Sequence, residues 1–330
     1  MRPQPDVAII LLTKNALRWL DEVLAGIFGQ ETRHIIEVIA VDSGSRDGTA
    51  EHLRAEAAAG RLRLFEIPPE SFHHGRTRNF GASQTSPSVD YLVFLSHDAT
   101  PAPGWLDALI APLEADPAVA GAHSRHIPRP TCPPPQARLL VTEWAQSGTP
   151  DRVVKRLADL PPGEYERNQH YWAHFSDTAS VMRRSVWEEY PIPEVDFAED
   201  AAWADRVLRA GYTLVYEPAS AVVHSHDYGL WRQLKQNVDH ARAMKERFDP
   251  PAYKESHPTR TLAEIVRLWR LDRAYIRGMA VPRWHKPILM FHSPFWHLAT
   301  HAGIKLGIWW ERLPGFIAMR LSHQAAIKRG

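Results

Sequence analysis

Several polar residues of this chain stand where apolar segments end, and their types suit nucleotide and cation binding. In chain order they are Thr13, Asn15, Asp42, Ser43, His97 and Asp98. In open α/β sheets, ligands bind at the carboxyl ends of the strands. Carboxylates beside small hydroxyl groups suit the ribose and base of a nucleotide, together with a divalent cation on its diphosphate. The alternative is that Asp42 and Ser43 only form turns and cap helices.

A second group of residues has the chemistry of a cation site. Asp98 follows a wholly apolar segment, and His224 and His226 stand two residues apart in a predicted strand, so they share a face. One carboxylate with imidazole nitrogens suits Mn²⁺ and tolerates Mg²⁺. The sequence therefore predicts Asp98, His224 and His226 as metal ligands. Histidines that only form hydrogen bonds at a strand end are the alternative.

The segment from Phe72 to Asn79 (FHHGRTRN) places two arginines at the start of a glycine-containing predicted helix. Helix N-termini attract anions, and the guanidinium of Arg78 matches the geometry of phosphate oxygens. This pattern suits a diphosphate leaving group. A solvated basic turn would give the same pattern.

Glu199 and Asp200 open a predicted helix that continues to Ala210. Acidic residues in the first turn are stabilised by the helix dipole, which is a structural explanation. The functional interpretation makes Asp200 a general base that removes a proton from an acceptor hydroxyl.

Strand and helix patterns alternate along the first half of the chain. The predicted strands are Val7 to Thr13, Ile35 to Val41, Leu62 to Ile67 and Tyr91 to Ser96, and the helices between them are Leu17 to Phe28, Thr49 to Ala59 and Arg76 to Gln84. Continuous apolar strands separated by helices indicate a mainly parallel, Rossmann-like α/β sheet with helices on both faces. Further strands are predicted at 178–182, 214–216 and 221–223, and the chain is helical from Leu230 onward.

The order of the motifs resembles that of the family 2 glycosyltransferases of the GT-A fold, and most closely their bacterial rhamnosyltransferase-like branch. The matching segments within residues 7–228 are VAIILLTKN, VIAVDSGSRDGTAE, FHHGRTRNFGA, YLVFLSHDATP, FAEDAAWADRVLRAGY and YEPASAVVHSHDY. The resemblance implies a nucleotide-diphosphosugar donor and a single displacement that inverts the anomeric carbon.

The resemblance also implies roles for individual residues. The nucleoside would be held by Thr13, Asn15 and Asp42, and Arg78 and Asn79 match a pair beside the donor. Asp98 would be the acidic residue of the metal motif, with His224 or His226 as a further ligand. Asp200 would be the base, and Glu199 would orient the base or the acceptor. Many members carry Asp-x-Asp at the metal motif, whereas this chain has Ser96-His97-Asp98. His97 could therefore bind the metal, contact the sugar or pack in the fold.

The C-terminal region differs in charge from the rest of the chain. Residues 229–330 contain 18 Lys and Arg against 7 Asp and Glu, whereas the remainder contains 21 against 31. Tryptophan-rich basic helices bind anionic membrane surfaces, and acceptors in the resembled family are often polyprenyl-linked glycans. An ordinary helical extension that packs on the catalytic domain is the alternative. A single cysteine and a polar start without a signal peptide favour a cytoplasmic protein, peripheral on the inner face of the membrane.

These observations predict a GT-A catalytic domain over residues 1–228 and a helical membrane-associating region over 229–330. The predicted reaction transfers a hexose, rhamnose being one candidate, to a hydroxyl of a saccharide or a lipid-linked glycan. Two alternatives are a sugar-nucleotide pyrophosphorylase, which the segment Thr13-Lys-Asn-Ala-Leu disfavours, and a non-catalytic scaffold at a membrane surface. Nucleic-acid binding is not expected, because no recognised module accompanies the basic charge.

Overall fold

The computed structural model describes residues 4–143, 149–195, 198–248 and 258–322. The chain divides into two compact units, one of residues 1–127 and 144–224 and one of residues 128–143 and 225–330. Residues 128–143 were predicted to belong to the catalytic domain, and they belong to the second unit.

The first unit is built on one mixed sheet. Its strands are β1 (Val7–Thr13), β2 (Ile36–Asp42), β3 (Arg63–Glu66), β4 (Tyr91–Ser96), β5 (Thr100–Pro101), β6 (Val119–Ile127), β7 (Val153–Lys155), β8 (Ala179–Arg183) and β9 (Thr213–Val223). Their order is β3-β2-β1-β4-β8-β6-β9-β5, and β7 pairs with β9.

The helices of the described ranges cover both units. In chain order they are α1 (Leu17–Phe28), α2 (Thr49–Ala58), α3 (His74–Ser83), α4 (Trp105–Ala115), α5 (Pro134–Arg138), α6 (Glu164–Arg167), α7 (Gln169–Trp172), α8 (Arg184–Glu189), α9 (Glu199–Arg209), α10 (Leu230–Phe248), α11 (Pro258–Gly278), α12 (His285–Ile308) and α13 (Gly315–Leu321). Short 3-10 turns lie at Pro69–Ser71, Leu157–Asp159 and Trp310–Arg312, and a π-helical turn lies at Leu139–Glu143.

Helices cover both faces of the sheet because successive strand side chains point to opposite sides. From β1, Val7, Ile9 and Leu11 join a buried cluster with side chains of α1, α2 and α4. Ala8 and Ile10 join a second cluster with side chains of α3, α8 and α9. The predicted α/β class with helices on both faces is confirmed.

Strand direction decides which side chains meet at the functional edge. We define this edge by the carboxyl ends of β1, β2 and β4 and the residues that precede β8. β1 is parallel to β2 and β4, so Thr13 lies beside Asp42 and Leu12 beside Ser96. β8 is antiparallel to β4, and Leu95 at the end of β4 pairs with Ala179 at the start of β8. The carboxyl ends of β1, β2 and β4 therefore share an edge with the residues that precede β8.

In the second unit a buried carboxylate joins three helices. Asp272 of α11 is fully buried. Arg138 Nε of α5 donates to its Oδ1 over 2.6 Å, and His297 Nε2 of α12 lies 2.7 Å from its Oδ2. Ser293 of α12 also donates to Oδ2. This network explains why residues 128–143 belong to the second unit.

The long helices α10 and α12 approach each other closely through glycine. A Cβ added to Gly303 or Gly307 of α12 would lie 2.4 Å from a backbone oxygen of α10, that of Leu234 or of Val238. No helix in the described parts of the chain combines the length and the apolar character needed to cross a bilayer.

Candidate active site

Asp42 is the last residue of β2, and its side chain accepts hydrogen bonds from the loop that leads to α2. Its Oδ1 accepts the N–H groups of Gly44 (3.0 Å) and Ser45 (2.8 Å). Its Oδ2 accepts the hydroxyls of Thr13 (2.9 Å) and Ser45 (2.6 Å). Asp42 is only 1% exposed, so these contacts give it a loop-shaping role. Its predicted contact with a nucleoside stays a prediction.

Asn15 and Ser43 belong to the same network. The Asn15 N–H donates to Ser45 Oγ (2.8 Å), and Asn15 Oδ1 accepts the Arg46 N–H (2.9 Å). Asn15 adopts φ +50°, a left-handed conformation that Asn adopts more readily than most residues. Ser43 directs both its N–H and its hydroxyl to the Thr13 carbonyl. The structure thus brings the residues predicted after β1 and β2 together.

Asp98 and His224 also lie together. His224 Nε2 is 3.5 Å from Asp98 Oδ1, although the two residues are far apart in the chain. The His224 N–H donates to the Ile127 carbonyl (2.9 Å), which extends the pairing of β9 with β6 past the last strand residue. The Asp98 side chain remains 23% exposed, so one carboxylate and one imidazole meet at the functional edge.

Each of the other two predicted histidines has a described contact. His97 Nδ1 lies 3.3 Å from the Leu12 carbonyl of β1. His226 belongs to the second unit, where its ring stacks on Tyr228 at 4.5 Å between centroids. Metal binding by His226 and donor contact by His97 stay predictions.

The side chains of the predicted pair, Arg78 and Asn79, form contacts with other residues of the protein. Asn79 Nδ2 donates to the Ile192 carbonyl (2.8 Å), and Asn79 Oδ1 accepts the Trp187 Nε1–H (2.8 Å). Arg78 is buried, and its guanidinium donates to Glu199. Arg78 Nε lies 3.6 Å from Asp177 Oδ2. Donor contact by either residue stays a prediction, because their described contacts explain a structural role.

Arg78 is the cation of the acidic cluster, which we define as Arg78, Asp177, Glu199 and Asp200. The first three residues are buried, and Asp200 is half-buried. The Asp177 N–H donates to Asp200 Oδ2 (3.4 Å), and the Ala201 N–H donates to Asp200 Oδ1 (2.8 Å). Asp200 therefore opens α9 as predicted, with its carboxylate held by two backbone groups.

Burial and mutual repulsion separate the proton affinities within the acidic cluster. Burial raises the pKa of Asp200 to about 8, with help from the negative charges of Glu199 and Asp177. Burial also raises the pKa of Asp177 to about 6, against the opposing effect of Arg78. For Glu199 burial acts upward, but Arg78 and then His74 outweigh it, and the pKa is lowered. Two adjacent carboxyl groups, Glu199 and Asp200, thus have opposite tendencies to hold a proton.

The Asp98–His224 pair and the acidic cluster lie at the same edge of the sheet. The Ser96 N–H at the end of β4 donates to the Thr178 carbonyl (2.9 Å). Asp98 follows Ser96 by two residues, and Asp177 precedes Thr178 directly. The hydrogen bond between Ser96 and Thr178 therefore joins the segment that carries Asp98 to the segment that carries Asp177. The Asp177 N–H in turn contacts Asp200.

Asp177 was not predicted from the sequence. The predicted site residues at this edge follow strands, as expected for a parallel sheet, whereas Asp177 precedes an antiparallel strand. The available signal was an aspartate directly before the predicted strand Thr178 to Met182.

Comparison with known proteins identifies the family. The model of the glycosyl transferase family 2 matches residues 8–190, more than half of the chain. The chain belongs to glycosyl transferase family 2. It is accordingly a nucleotide-sugar-dependent glycosyltransferase, as the sequence analysis predicted.

Two curated relatives cover nearly the whole chain. One is the O-antigen chain rhamnosyltransferase RfbN of Salmonella typhimurium, 27% identical over 317 residues, which are 93% of this chain and 91% of the relative. The other is the O-antigen chain rhamnosyltransferase WbaN of Salmonella anatum, 27% identical over 323 residues, with 94% and 91% coverage.

Solved structures support the same fold. The mannosyltransferase PcManGT from Pyrobaculum calidifontis, in complex with GDP-Man and Mn²⁺, has a TM-score of 0.52 at 20% identity and covers 100% of this chain and 82% of its own. S. aureus TarS 1–349 in complex with UDP-GlcNAc has a TM-score of 0.51 at 14% identity, with 96% and 78% coverage. The predicted GT-A fold is confirmed.

Proposed function

We propose that this family 2 enzyme transfers a hexose with inversion from a nucleotide-diphosphosugar to a hydroxyl of a membrane-carried saccharide, with Asp200 as the base. One observation carries the proposal. A half-buried carboxyl group, that of Asp200, has a raised pKa and lies at the same sheet edge as the Asp98–His224 pair. This edge also carries the Asp42 loop, which suits the nucleoside end of the donor.

The reaction follows from the proton affinities of the acidic cluster. An acceptor hydroxyl transfers its proton to the ionised Asp200 carboxylate as its oxygen bonds to the anomeric carbon. The bond between that carbon and the diphosphate oxygen breaks on the opposite side, which inverts the configuration. A base whose pKa lies near the working pH accepts a proton more effectively than an ordinary aspartate. Glu199 stays ionised beside Arg78 and orients the base.

The residues at the functional edge fit a divalent cation. Asp98 and His224 present an oxygen and a nitrogen 3.5 Å apart, and His226 follows His224 by two residues as the third candidate ligand. This mixed donor set suits Mn²⁺ and tolerates Mg²⁺. When bound, the cation supplies charge neutralisation for the departing diphosphate.

Rhamnose is the proposed sugar. RfbN and WbaN are rhamnosyltransferases of O-antigen chains, and each aligns with more than nine tenths of this chain. An O-antigen-like glycan on a polyprenyl carrier is the proposed acceptor, because such a carrier keeps the growing glycan at a membrane.

A face of α12 supports a location at that membrane. An apolar stripe of five exposed side chains runs along it, with exposures of 68, 59, 72, 43 and 54% for Trp284, Ile288, Phe291, Phe295 and Leu298, in that order. Their spacing of four and three residues places them on one side of the helix. Exposed contiguous apolar surface of this kind marks an interaction site.

The charge around the apolar stripe favours an anionic lipid surface. Residues 265–310 contain seven Lys and Arg and one acidic residue, Asp272. Asp272 is buried and bonded to Arg138, so the exposed charge of this segment is basic. We therefore propose that the enzyme is cytoplasmic and binds the inner face of the membrane through the apolar stripe, with basic side chains on lipid headgroups.

A donor panel tests the proposed function. Thermal shifts would be measured with dTDP-, UDP- and GDP-sugars, with and without Mn²⁺, for the wild type, Asp98→Asn and the control Asp21→Asn, whose side chain is 83% exposed. We expect one nucleotide-sugar to give a metal-dependent shift that Asp98→Asn loses and the control keeps. If none of the nucleotide-sugars gave a thermal shift, that result would contradict the proposal and favour a non-catalytic scaffold.

A further inference from the structure

We propose that Asp177 is a positioning residue for the proton transfer: its backbone holds the Asp200 carboxylate, and its charge makes Asp200 a stronger base. The inference rests on the proposed function, in which Asp200 is the base. No motif of the sequence analysis includes Asp177.

Asp177 is placed to act on Asp200 in two ways. Its N–H donates to Asp200 Oδ2 over 3.4 Å, which fixes the base from the side of β8. Its own carboxylate is 1% exposed. Ser180 Oγ donates to Asp177 Oδ1 over 2.8 Å, so the carboxylate is held in one orientation. The first contact joins the segment before β8 to α9, and the second lies within that segment and the start of β8.

The charge of Asp177 is only partly compensated. Its Oδ2 lies 3.6 Å from Arg78 Nε, and neither atom has a hydrogen-bond partner among the described residues. Arg78 instead donates its direct hydrogen bond to Glu199. One guanidinium therefore faces the carboxyl groups of Asp177, Glu199 and Asp200.

The remaining titratable group described at the cluster adds little positive charge. His74, in the first turn of α3, interacts with Glu199, but desolvation and the charge of Arg78 lower its pKa, and its side chain is exposed to solvent. Buried carboxylates that share one cation cannot all ionise easily. Glu199 has the close ion pair, so Asp200 meets the repulsion of both neighbours and holds its proton more strongly.

This arrangement serves the reaction because the proton of the acceptor hydroxyl must move to Asp200. The Asp200 carboxylate has a higher affinity for that proton beside an ionised Asp177 than it would have beside a neutral group. Asp177 itself neither contacts the reacting atoms nor exchanges the proton in this scheme. A purely structural Asp177 would instead affect stability and the level of activity, without moving the pH at which activity appears.

The pH dependence of kcat/KM separates these roles. Wild type, Asp177→Asn, Asp177→Ser and the control Glu194→Gln would be assayed from pH 5 to 9, with folding checked by thermal melts. Glu194 pairs with Arg76 at the surface, 53% exposed, so its replacement also removes one acidic charge. Both Asp177 variants should move the acidic limb about one pH unit or more lower, as expected for loss of a neighbouring charge. Their plateau activity should fall, and the control should match the wild type.

Each outcome of this experiment bears on the inference. An acidic limb that stays at the wild-type pH in a folded Asp177 variant would overturn it, as would an equal shift in Glu194→Gln. Failure of both variants to fold would also overturn it, because removal of surplus buried charge should leave the fold stable. Asp200→Asn, assayed in parallel, tests the base itself. Retained activity there would refute the proposed function, whereas an inactive Asp200→Asn with unshifted Asp177 variants would refute only this inference.

Discussion

At the scale of single residues, the raised pKa of Asp200, which suits the proposed role as a base, also affects the stability of the fold. Asp200 has a pKa of about 8 in the folded protein, against 3.8 for an ordinary aspartate. The folded state therefore binds more protons than the unfolded state between about pH 4 and pH 8. The stabilising effect of that bound proton is present at low pH and is lost as the pH rises through this window.

We expect Asp200→Asn to be more stable than the wild type at pH 8 in the absence of donor and metal. Asparagine has no proton to lose, so the advantage should shrink toward zero as the pH falls to 4. A gain of about 2 °C or more in Tm at pH 8 corresponds to about 1 kcal/mol in a unit of this size. Calorimetric melts over this pH range measure the effect, and a variant less stable than the wild type at pH 8 would contradict the pKa assignment.

The sequence predicted part of this cluster. Asp200 and Glu199 were recognisable because they open an amphipathic helix, and Arg78 because it lies in the first turns of another. Their mutual contact was not predictable, since Arg78 and Glu199 are 121 residues apart in the chain. The loop-shaping role of Asp42 was among the predicted alternatives, and its four hydrogen bonds give that alternative a physical basis.

At the scale of elements, α12 has two faces with different surroundings. One face carries Gly303 and Gly307 against α10, and the other carries the apolar stripe. The helical content and tryptophans of this region were evident from the sequence. Which residues pack inward and which remain exposed depended on the contacts with α10 and α11, which periodicity alone did not give.

Replacement of Gly307 by leucine should destabilise the second unit. The added Cβ would lie 2.4 Å from the Val238 carbonyl oxygen and 2.9 Å from Ala241 Cβ, so α10 and α12 must separate. Overpacking of this kind costs about 1–3 kcal/mol. Gly278→Ala is the matched control, because an added Cβ there meets no atom within 4 Å. Chemical denaturation compares the variants, and equal stability of Gly307→Leu and wild type would contradict the described packing.

Phe291→Asp should weaken membrane binding. Phe291 is 72% exposed at the middle of the apolar stripe, and burial of a phenylalanine side chain contributes about 1.5–3 kcal/mol. We expect at least a tenfold loss of binding to vesicles that contain phosphatidylglycerol, measured by sedimentation. Phe28→Asp, at a 42% exposed position of the first unit, is the control. Equal loss in both variants, or wild-type binding by Phe291→Asp, would contradict the role of the stripe.

At the scale of the whole molecule, the sequence predicted the order of elements and the family better than the sheet topology. The apolar segments indicated β1 to β4 because parallel strands buried on both faces have a simple pattern. The antiparallel direction of β8 follows from its pairing with β4 and β6, which local sequence does not encode. The assignment of residues 128–143 to the second unit depends on the Arg138–Asp272 pair, whose members are 134 residues apart.

The central claim is that Asp200 acts as the base of a glycosyl transfer at the edge of the sheet that carries Asp98. Asp200→Asn and the same-helix control Asp205→Asn would be compared with the wild type, once a donor is known, for product formation and for donor affinity by calorimetry. We expect Asp200→Asn to lose at least 10²-fold in transfer, the lower range for removal of a general base, and to bind the donor with unchanged affinity. Near-normal transfer by Asp200→Asn, or a parallel loss of donor binding, would contradict it.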